Sequence, residues 1–310
     1  MRTRAQLVAI LVLSALQCFA QNTPGSAWSV AWEPKELVNG SAVLFRVSAP
    51  PTVNGLRGSW SGHEIGFRHD NRCKCWYAIA GISLEAAPGK YPLQLQAQDS
   101  LPSSFTSQVP IVAKHYPTTT ISVAPQYVQP PKEVLARIEE ELALKKRVFS
   151  QIAPESVWAD RFLPPVESNI TAVFGSSRTY NGVKKSSHLG LDFRAAVGTT
   201  VRAANRGTVI LASNLYYEGN CVFIDHGQGL LTLYFHLSGI KVKEGDKVES
   251  GTVLGLSGST GRVTAPHVHF AARWQGIYVD PETLLAINPP PSRSADADNH
   301  RNRRNRAKSP

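Results

Sequence analysis

Residues 186–193 read Ser186-Ser-His-Leu-Gly-Leu-Asp-Phe193, and a later stretch reads Ala265-Pro-His-Val-His-Phe270. Both are β-like, and in a strand side chains two apart share one face. His188 and Asp192 are therefore expected to point the same way, as are His267 and His269. Between the two stretches stands a third histidine, His236, in Leu233-Tyr-Phe-His-Leu237. Two imidazoles and one carboxylate drawn from this set can converge on one metal ion. That is the donor set of a catalytic zinc site with three protein ligands and an open fourth position, and it leaves two histidines for proton transfer.

Outward from these motifs the same periodicity continues. Thr199–Ala203, Gly207–Leu211, Cys221–Ile224, Leu230–Phe235, Thr252–Leu256 and Val268–Ala272 are apolar runs separated by Gly-Asp, Gly-Gln-Gly and Ser-Gly-Ser turns. They predict an antiparallel sheet over residues 160–288 with histidines lining one face. Pro289-Pro-Pro291 closes it. Ahead of it, between Pro130-Pro131 and Pro154, the period changes to 3.6: Leu135, Ile138, Leu142 and Phe149, flanked by Val134 and Val148, form a stripe among charged residues. This predicts an amphipathic helix over residues 130–152, packed across the junction between two domains.

Residues 21–116 carry alternating runs from Trp28-Ser-Val-Ala-Trp32 to Gln108-Val-Pro-Ile-Val112, punctuated by Asn39-Gly40 and Pro88-Gly89. Short strands at this density predict an immunoglobulin-like β-sandwich. The fold class is thus mainly β. His63, His69 and His115 lie scattered among polar residues and are read as surface histidines, and His226, in Asp225-His-Gly227, as a turn residue.

The chain begins Met1-Arg-Thr-Arg4, continues with an apolar run from Leu7 to Leu16, and reaches Cys18-Phe-Ala20 before Gln21. This is the pattern of a secretory signal peptide over residues 1–20, because a membrane-spanning helix needs about 20 apolar residues. It points to a protein exported to the periplasm or cell envelope, with no transmembrane segment. Cys18 as a lipid anchor is the other reading, disfavoured by Gln17 where such signals take a small residue. Cys73 and Cys75 are expected to be buried or free thiols like Cys221, since a bridge two residues apart along a strand would strain it.

The net charge of +10 falls to +8 (10 − 2) without Arg2 and Arg4. Residues 293–310 contribute six cations against two carboxylates, so residues 289–310 are read as a disordered basic tail. In an exported protein such a tail meets anionic wall polymers and headgroups, and no nucleic acid is expected as a partner.

The residues from Phe162 to Ile287 resemble the lysostaphin-like (LytM-type) zinc endopeptidases that cut peptide cross-links in bacterial peptidoglycan. The resemblance rests on Ala172-Val-Phe-Gly175, Arg178-Thr-Tyr-Asn-Gly182, His188-Leu-Gly-Leu-Asp192, Tyr234-Phe-His-Leu237, Gly258-Ser-Thr-Gly-Arg262 and Pro266-His-Val-His-Phe270, all in the family's order. It implies zinc held by His188, Asp192 and His269, with His236 and His267 as the catalytic pair. Gly190 lets the backbone pass close between the first two ligands. Arg178, Asn181 and Tyr234 are candidate substrate residues, with Tyr234 equally able to pack in the sheet. Ala265 and Val268 depart from the family's commonest glycine and leucine without removing any of the five groups. Degenerate, non-enzymatic relatives that bind the wall or activate another hydrolase lack some of the five, so an enzyme is favoured. The layout of sandwich, helix and sheet resembles exported members from diderm bacteria, which implies the D-alanyl-diaminopimelate bond as target and leaves room for a regulatory protein partner. Arg178, Lys184, Lys185 and Arg262 are expected near the groove rim, where they would draw the substrate's carboxylates.

Overall fold

Strand-forming runs of Val, Ile, Phe, Tyr and Trp dominate the chain, and a computed structural model describes residues 28–98 and 103–291. The expected signal peptide, Cys18 and the tail from residue 292 onward lie outside the described residues. The fold is mainly β. In the N-terminal part, β1 (Ser29–Glu33), β3 (Ala42–Ser48), β7 (Cys75–Gly81) and β6 (Arg68–Asp70) form one sheet in the order β1-β3-β7-β6. A second sheet runs β2 (Leu37–Val38), β9 (Ser104–Val112), β8 (Gly89–Gln98), β4 (Gly55–Trp60) and β5 (His63–Gly66). All pairs are antiparallel except β2 with β9. Phe45 of β3 meets Trp60 of β4 edge-on at 5.0 Å, and the Trp60 indole N–H donates to Gly81 O at 2.8 Å, so the two sheets share one buried layer.

Cys73 and Cys75 are disulfide-bonded, against expectation. Cys73 lies in the β6–β7 turn, not in a strand, and Lys74 takes φ 50°. That kink brings the two Cα atoms to 5.1 Å, inside the range a bridge needs. Cys221 is a buried free thiol, as expected.

The connection to the second part contains β10 (Thr118–Ile121), a 3-10 turn and α1 (Lys132–Ser150). β10 was not foreseen. It pairs in parallel with β12 (Ser177–Tyr180), which pairs with β13 (Lys184–Ser187). The ten-stranded sheet follows the order β11 (Ile170–Ala172), β14 (Leu191–Arg194), β21 (His267–Trp274), β18 (Leu230–Ile240), β17 (Gly219–Asp225), β16 (Gly207–Leu215) and β19 (Lys247–Val248). β15 (Thr200–Arg202), β20 (Val253–Ser257) and β22 (Ile277–Val279) pair along its margins, and α2 (Pro281–Ala286) follows, capped by the Asp280 carboxylate on Glu282 N.

α1 packs on the outer side of the sheet, not across the junction. Phe149 stacks on Phe223 at 5.5 Å, and Val148 joins a cluster with Leu211, Leu215, Cys221 and Leu233. Its buried face matches the expected stripe at Val148 and Phe149 but not throughout. Leu135 and Leu142 are 49% and 57% exposed, whereas Glu141 is buried. Glu141 accepts from Arg137 Nε at 2.7 Å and from Tyr216 N at 2.8 Å, so one carboxylate ties the helix to the β16–β17 turn. Apolar packing of Val148 and Phe149 and the hydrogen bonds of Glu141 together set this face.

The two parts share a packed junction instead. His63 meets Trp274 edge-on, Gln275 donates to Glu64 O, and Thr283 Oγ1 accepts from Ala42 N. Among the described residues no helix is long and apolar enough to cross a membrane.

Candidate metal centre

The antiparallel pairing of β14 with β21 sets Asp192 directly opposite His269. Cross-strand partners on one face have Cβ atoms about 5 Å apart, so a carboxylate and an imidazole can meet there. His188 arrives from the segment just before β14, past Gly190. A Cβ on Gly190 would lie 2.5 Å from Phe270 O and 2.6 Å from His269 Nε2. Only glycine permits this approach.

The result is a buried triangle. His188 Nε2 is 3.0 Å from Asp192 Oδ1 and 3.0 Å from His269 Nδ1, and His269 Nδ1 is 2.9 Å from Asp192 Oδ1. His188 Nδ1 donates to Val173 O at 2.8 Å, which leaves Nε2 as a lone pair aimed inward. Arg178 Nη2 donates to Asp192 Oδ2 at 2.7 Å, which leaves Oδ1 for the centre. Burial holds the His269 imidazole down at about 4, so it is neutral at ordinary pH. Burial alone would raise Asp192, but the hydrogen bonds and charges of His188 and His269 outweigh it and hold the carboxyl well below its usual range.

Two imidazole nitrogens and one carboxylate oxygen thus face one another within 3.0 Å, a donor set that suits a cation. Tetrahedral ligands at about 2.0–2.2 Å from an ion stand about 3.3–3.6 Å apart. The observed triangle has only to open by a few tenths of an ångström to fit one. Among the described residues this trio is the group placed so that it could hold a metal ion.

Two more histidines border the trio. β18 carries one residue more than β17 between Tyr234 and Leu237, and His236 sits in that bulge at φ 64°. A bulge re-aims a side chain: His236 Nδ1 donates to Thr260 O at 2.8 Å, freeing Nε2, and its ring lies 4.9 Å from that of His267. Burial first, then the charges of His267 and His269, push His236 well below the ordinary histidine range. His267 Nδ1 donates to Ala265 O at 2.8 Å, and its Nε2 stands 3.5 Å from Asp192 Oδ1. All five expected groups are therefore gathered in one place.

Asp192, His236, His267 and His269 line a groove of about 640 Å³, with His188 behind them. Thr119, Ile121 and Val123 of the connecting segment form one wall, and Arg178, Arg194 and Arg262 contribute its cations. Arg194 and the β10 wall were missed, the first because alternation hides it among sheet residues, the second because its pairing is parallel and distant. A larger cleft of about 810 Å³ lies between the outer face of β4–β8 and Gln228 and Gln275. It shares no residue with the histidine groove and contains neither histidine nor cysteine.

The other expectations resolve less evenly. Tyr234 does not line the groove: it is fully buried, its hydroxyl accepting from Ala204 N at 2.7 Å. Asn181 is a turn residue at φ 50° whose amide bonds both N and O of Val123, and it too lies outside the groove lining. Arg178 does reach the site, but it binds Asp192. Arg262 lines the groove and Lys185 does not. His226 is no mere turn residue: it is fully buried, its Nδ1 donating to Arg206 O and its Nε2 accepting from the Thr232 hydroxyl. His69 and His115 are exposed, while His63 is half-buried against Trp274.

Residues 186–281 match the sequence model of Peptidase family M23. The chain is 44% identical over 109 residues to the peptidoglycan DD-endopeptidase ShyA of Vibrio cholerae, covering 34% of this chain and 25% of that protein. It is 37% identical over 127 residues to the glycyl-glycine endopeptidase ALE-1 of Staphylococcus capitis, covering 40% of this chain and 34% of that protein. The chain thus spans a quarter to a third of the length of these relatives. A crystal structure from Pseudomonas aeruginosa classed as peptidase M23 superposes with a TM-score of 0.62 at 27% identity, covering 81% of this chain and 95% of that one.

Proposed function

Because the chain carries a peptidase family M23 domain, we propose that it is a zinc endopeptidase hydrolysing peptide cross-links of bacterial peptidoglycan, with the D-alanyl-diaminopimelate bond as its target. The observation that carries this reading is the triangle of His188 Nε2, Asp192 Oδ1 and His269 Nδ1, with its sides of 2.9–3.0 Å, bordered by two further imidazoles. Two nitrogens and one carboxylate oxygen suit Zn²⁺, and His188, Asp192 and His269 would hold it. When bound, the ion would supply Lewis-acid polarisation of the scissile carbonyl and would acidify a water.

The remaining work falls to the chain. Arg178 fixes Asp192 through Oδ2, and Val173 O fixes the His188 tautomer. His236 and His267, each held through Nδ1–H on a carbonyl, present Nε2 to the groove. One takes the proton of the attacking water at Nε2 and passes that same proton to the leaving amine, and the other supports the developing oxyanion when its Nε2 carries a proton. The β10 segment narrows the groove around an extended peptide.

The bond assignment is supported by the DD-endopeptidase relative, and we place the protein in the periplasm or cell envelope, where that substrate lies. We read the N-terminal part as immunoglobulin-like, supported by two sheets whose orders match A-B-E-D and A′-G-F-C-C′, with a parallel first-to-last pair. Digestion of isolated sacculi with the purified protein, with muropeptides identified by mass spectrometry, tests the activity. Diaminopimelate cross-links should be cut in preference to pentaglycine. Rapid pentaglycine hydrolysis with intact diaminopimelate dimers would overturn the bond assignment, and activity surviving exhaustive chelation would overturn the metal mechanism. Sacculus binding without either would point to a wall-binding module.

A further inference from the structure

The residues lining the histidine groove carry three guanidinium groups, Arg178, Arg194 and Arg262, against a single carboxylate, Asp192. That carboxylate is already spoken for by Arg178 at 2.7 Å. Arg262 is held differently. Its Cζ lies 4.5 Å from the ring centre of Tyr180 and 5.0 Å from that of Tyr217, so two aromatic rings flank the guanidinium. Its backbone N–H donates to Tyr217 O at 2.9 Å. Gly261, at φ 75°, packs so closely on the β16–β17 turn that a Cβ there would meet Gly219 N at 2.4 Å. Thr260 accepts from Asn220 N through its hydroxyl at 2.9 Å and from His236 Nδ1 through its carbonyl at 2.8 Å. The loop that presents Arg262 is thus the loop that orients His236.

Aromatic rings stabilise a guanidinium through its faces and leave the in-plane N–H edge free. That edge matches a carboxylate with two parallel hydrogen bonds. A half-buried, pre-oriented cation with no carboxylate partner among the described residues is arranged for an anion that arrives with the substrate.

We propose that Arg262 is the specificity-determining residue of the groove, receiving a free carboxylate on the peptide residue adjacent to the scissile bond. This rests on the endopeptidase reading of the same site and deepens it by naming the residue that would tell peptides with an anionic branch beside the cut from neutral glycine bridges. The Tyr180–Tyr217 clamp fixes the guanidinium at a set distance from His236, so the carboxylate serves as the ruler that places the scissile carbonyl.

Binding is the primary readout, because it does not require turnover. The zinc-loaded full chain is titrated with a soluble cross-linked peptide bearing a free carboxylate next to the scissile bond, and with the same peptide amidated at that carboxylate. Wild-type protein should bind the carboxylate form about 10- to 100-fold more tightly. Arg262→Gln should abolish that preference while leaving the affinity for the amide unchanged, and Arg262→Lys should retain part of it. Lys185→Gln removes a cation outside the groove lining and should leave the preference intact. Bound zinc and Tm, measured on each variant, should stay at wild-type values. Failure of the wild type to prefer the carboxylate, or an equal loss for both peptides in Arg262→Gln, would overturn the proposal. A preference that Arg262→Gln abolishes, seen in a protein that hydrolyses neither peptide, would sustain the carboxylate site while refuting the activity.

Discussion

Replacing Gly190 by alanine puts a methyl group where the chain leaves no room. The new Cβ would stand 2.5 Å from Phe270 O and 2.6 and 2.8 Å from His269 Nε2 and Cε1. Ordinary carbon contacts lie at about 3.5–4.0 Å, so the misfit is about an ångström. The carbonyl belongs to β21 and cannot retreat without shifting the Asp192–His269 register, so the imidazole must yield. Overpacking of this kind costs about 1–3 kcal/mol, and each 1.36 kcal/mol is a factor of ten in an equilibrium constant. In metal-free protein the ring can swing aside. Metal binding would pull it back, so the strain is concentrated in the loaded state. Gly190→Ala should therefore weaken zinc binding by about 10- to 100-fold, measured by competition with a chelator of known affinity. By calorimetry, the Tm of the loaded protein should fall further than that of the metal-free protein. Wild-type zinc affinity in this variant would refute the idea that the approach of Gly190 to β21 fixes His269.

His226 provides a pH-dependent prediction away from the metal trio. Burial lowers it from 6.5 to about 4 and outweighs the Arg206 carbonyl, whose hydrogen bond favours the charged ring. Since the unfolded chain binds the proton first, its stabilising contribution is fully present above pH 6.5 and is lost as pH falls toward 4, by about 3 kcal/mol in all. His226→Gln should flatten the pH dependence of the urea midpoint in that window, and an unchanged slope would count against it. On α1, Glu141→Ala should cost about 1–3 kcal/mol by leaving Tyr216 N unpaired. Leu142→Ala on the exposed side should cost less than about 0.5 kcal/mol; a larger loss from Leu142 in denaturant melts would reverse the face assigned to the helix.

Much of the ten-stranded sheet is legible in the sequence because strand alternation and the histidine motifs coincide: the same period that buries Val268 and Phe270 turns His267 and His269 to one face. The metal trio is legible for the same reason. What escapes sequence reading depends on distant partners. Tyr234 looks like a groove residue until Ala204 N and Thr232 claim its hydroxyl. The α1 stripe holds at Val148 and Phe149 but misleads at Leu135 and Leu142, because Glu141 takes the buried position with two hydrogen bonds. β4 (Gly55–Trp60) escaped because Gly55 and Gly58 dilute its apolar pattern, although Gly58 is needed where a Cβ would strike Gln94 O at 2.6 Å. The Cys73–Cys75 bridge depends on the turn conformation of Lys74, which no spacing announces.

The central claim is that His188, Asp192 and His269 hold a metal while His236 and His267 move protons, and the metal content of single variants tests it most directly. Each purified protein is stripped with chelator, reloaded with zinc, dialysed, and analysed by mass spectrometry for bound metal alongside hydrolysis of cross-linked muropeptides. Asp192→Ala and His269→Ala should lose both zinc and activity. His236→Ala and His267→Ala should keep one zinc per chain and lose most turnover. Stoichiometric zinc in Asp192→Ala, or loss of zinc from His236→Ala, would contradict the account.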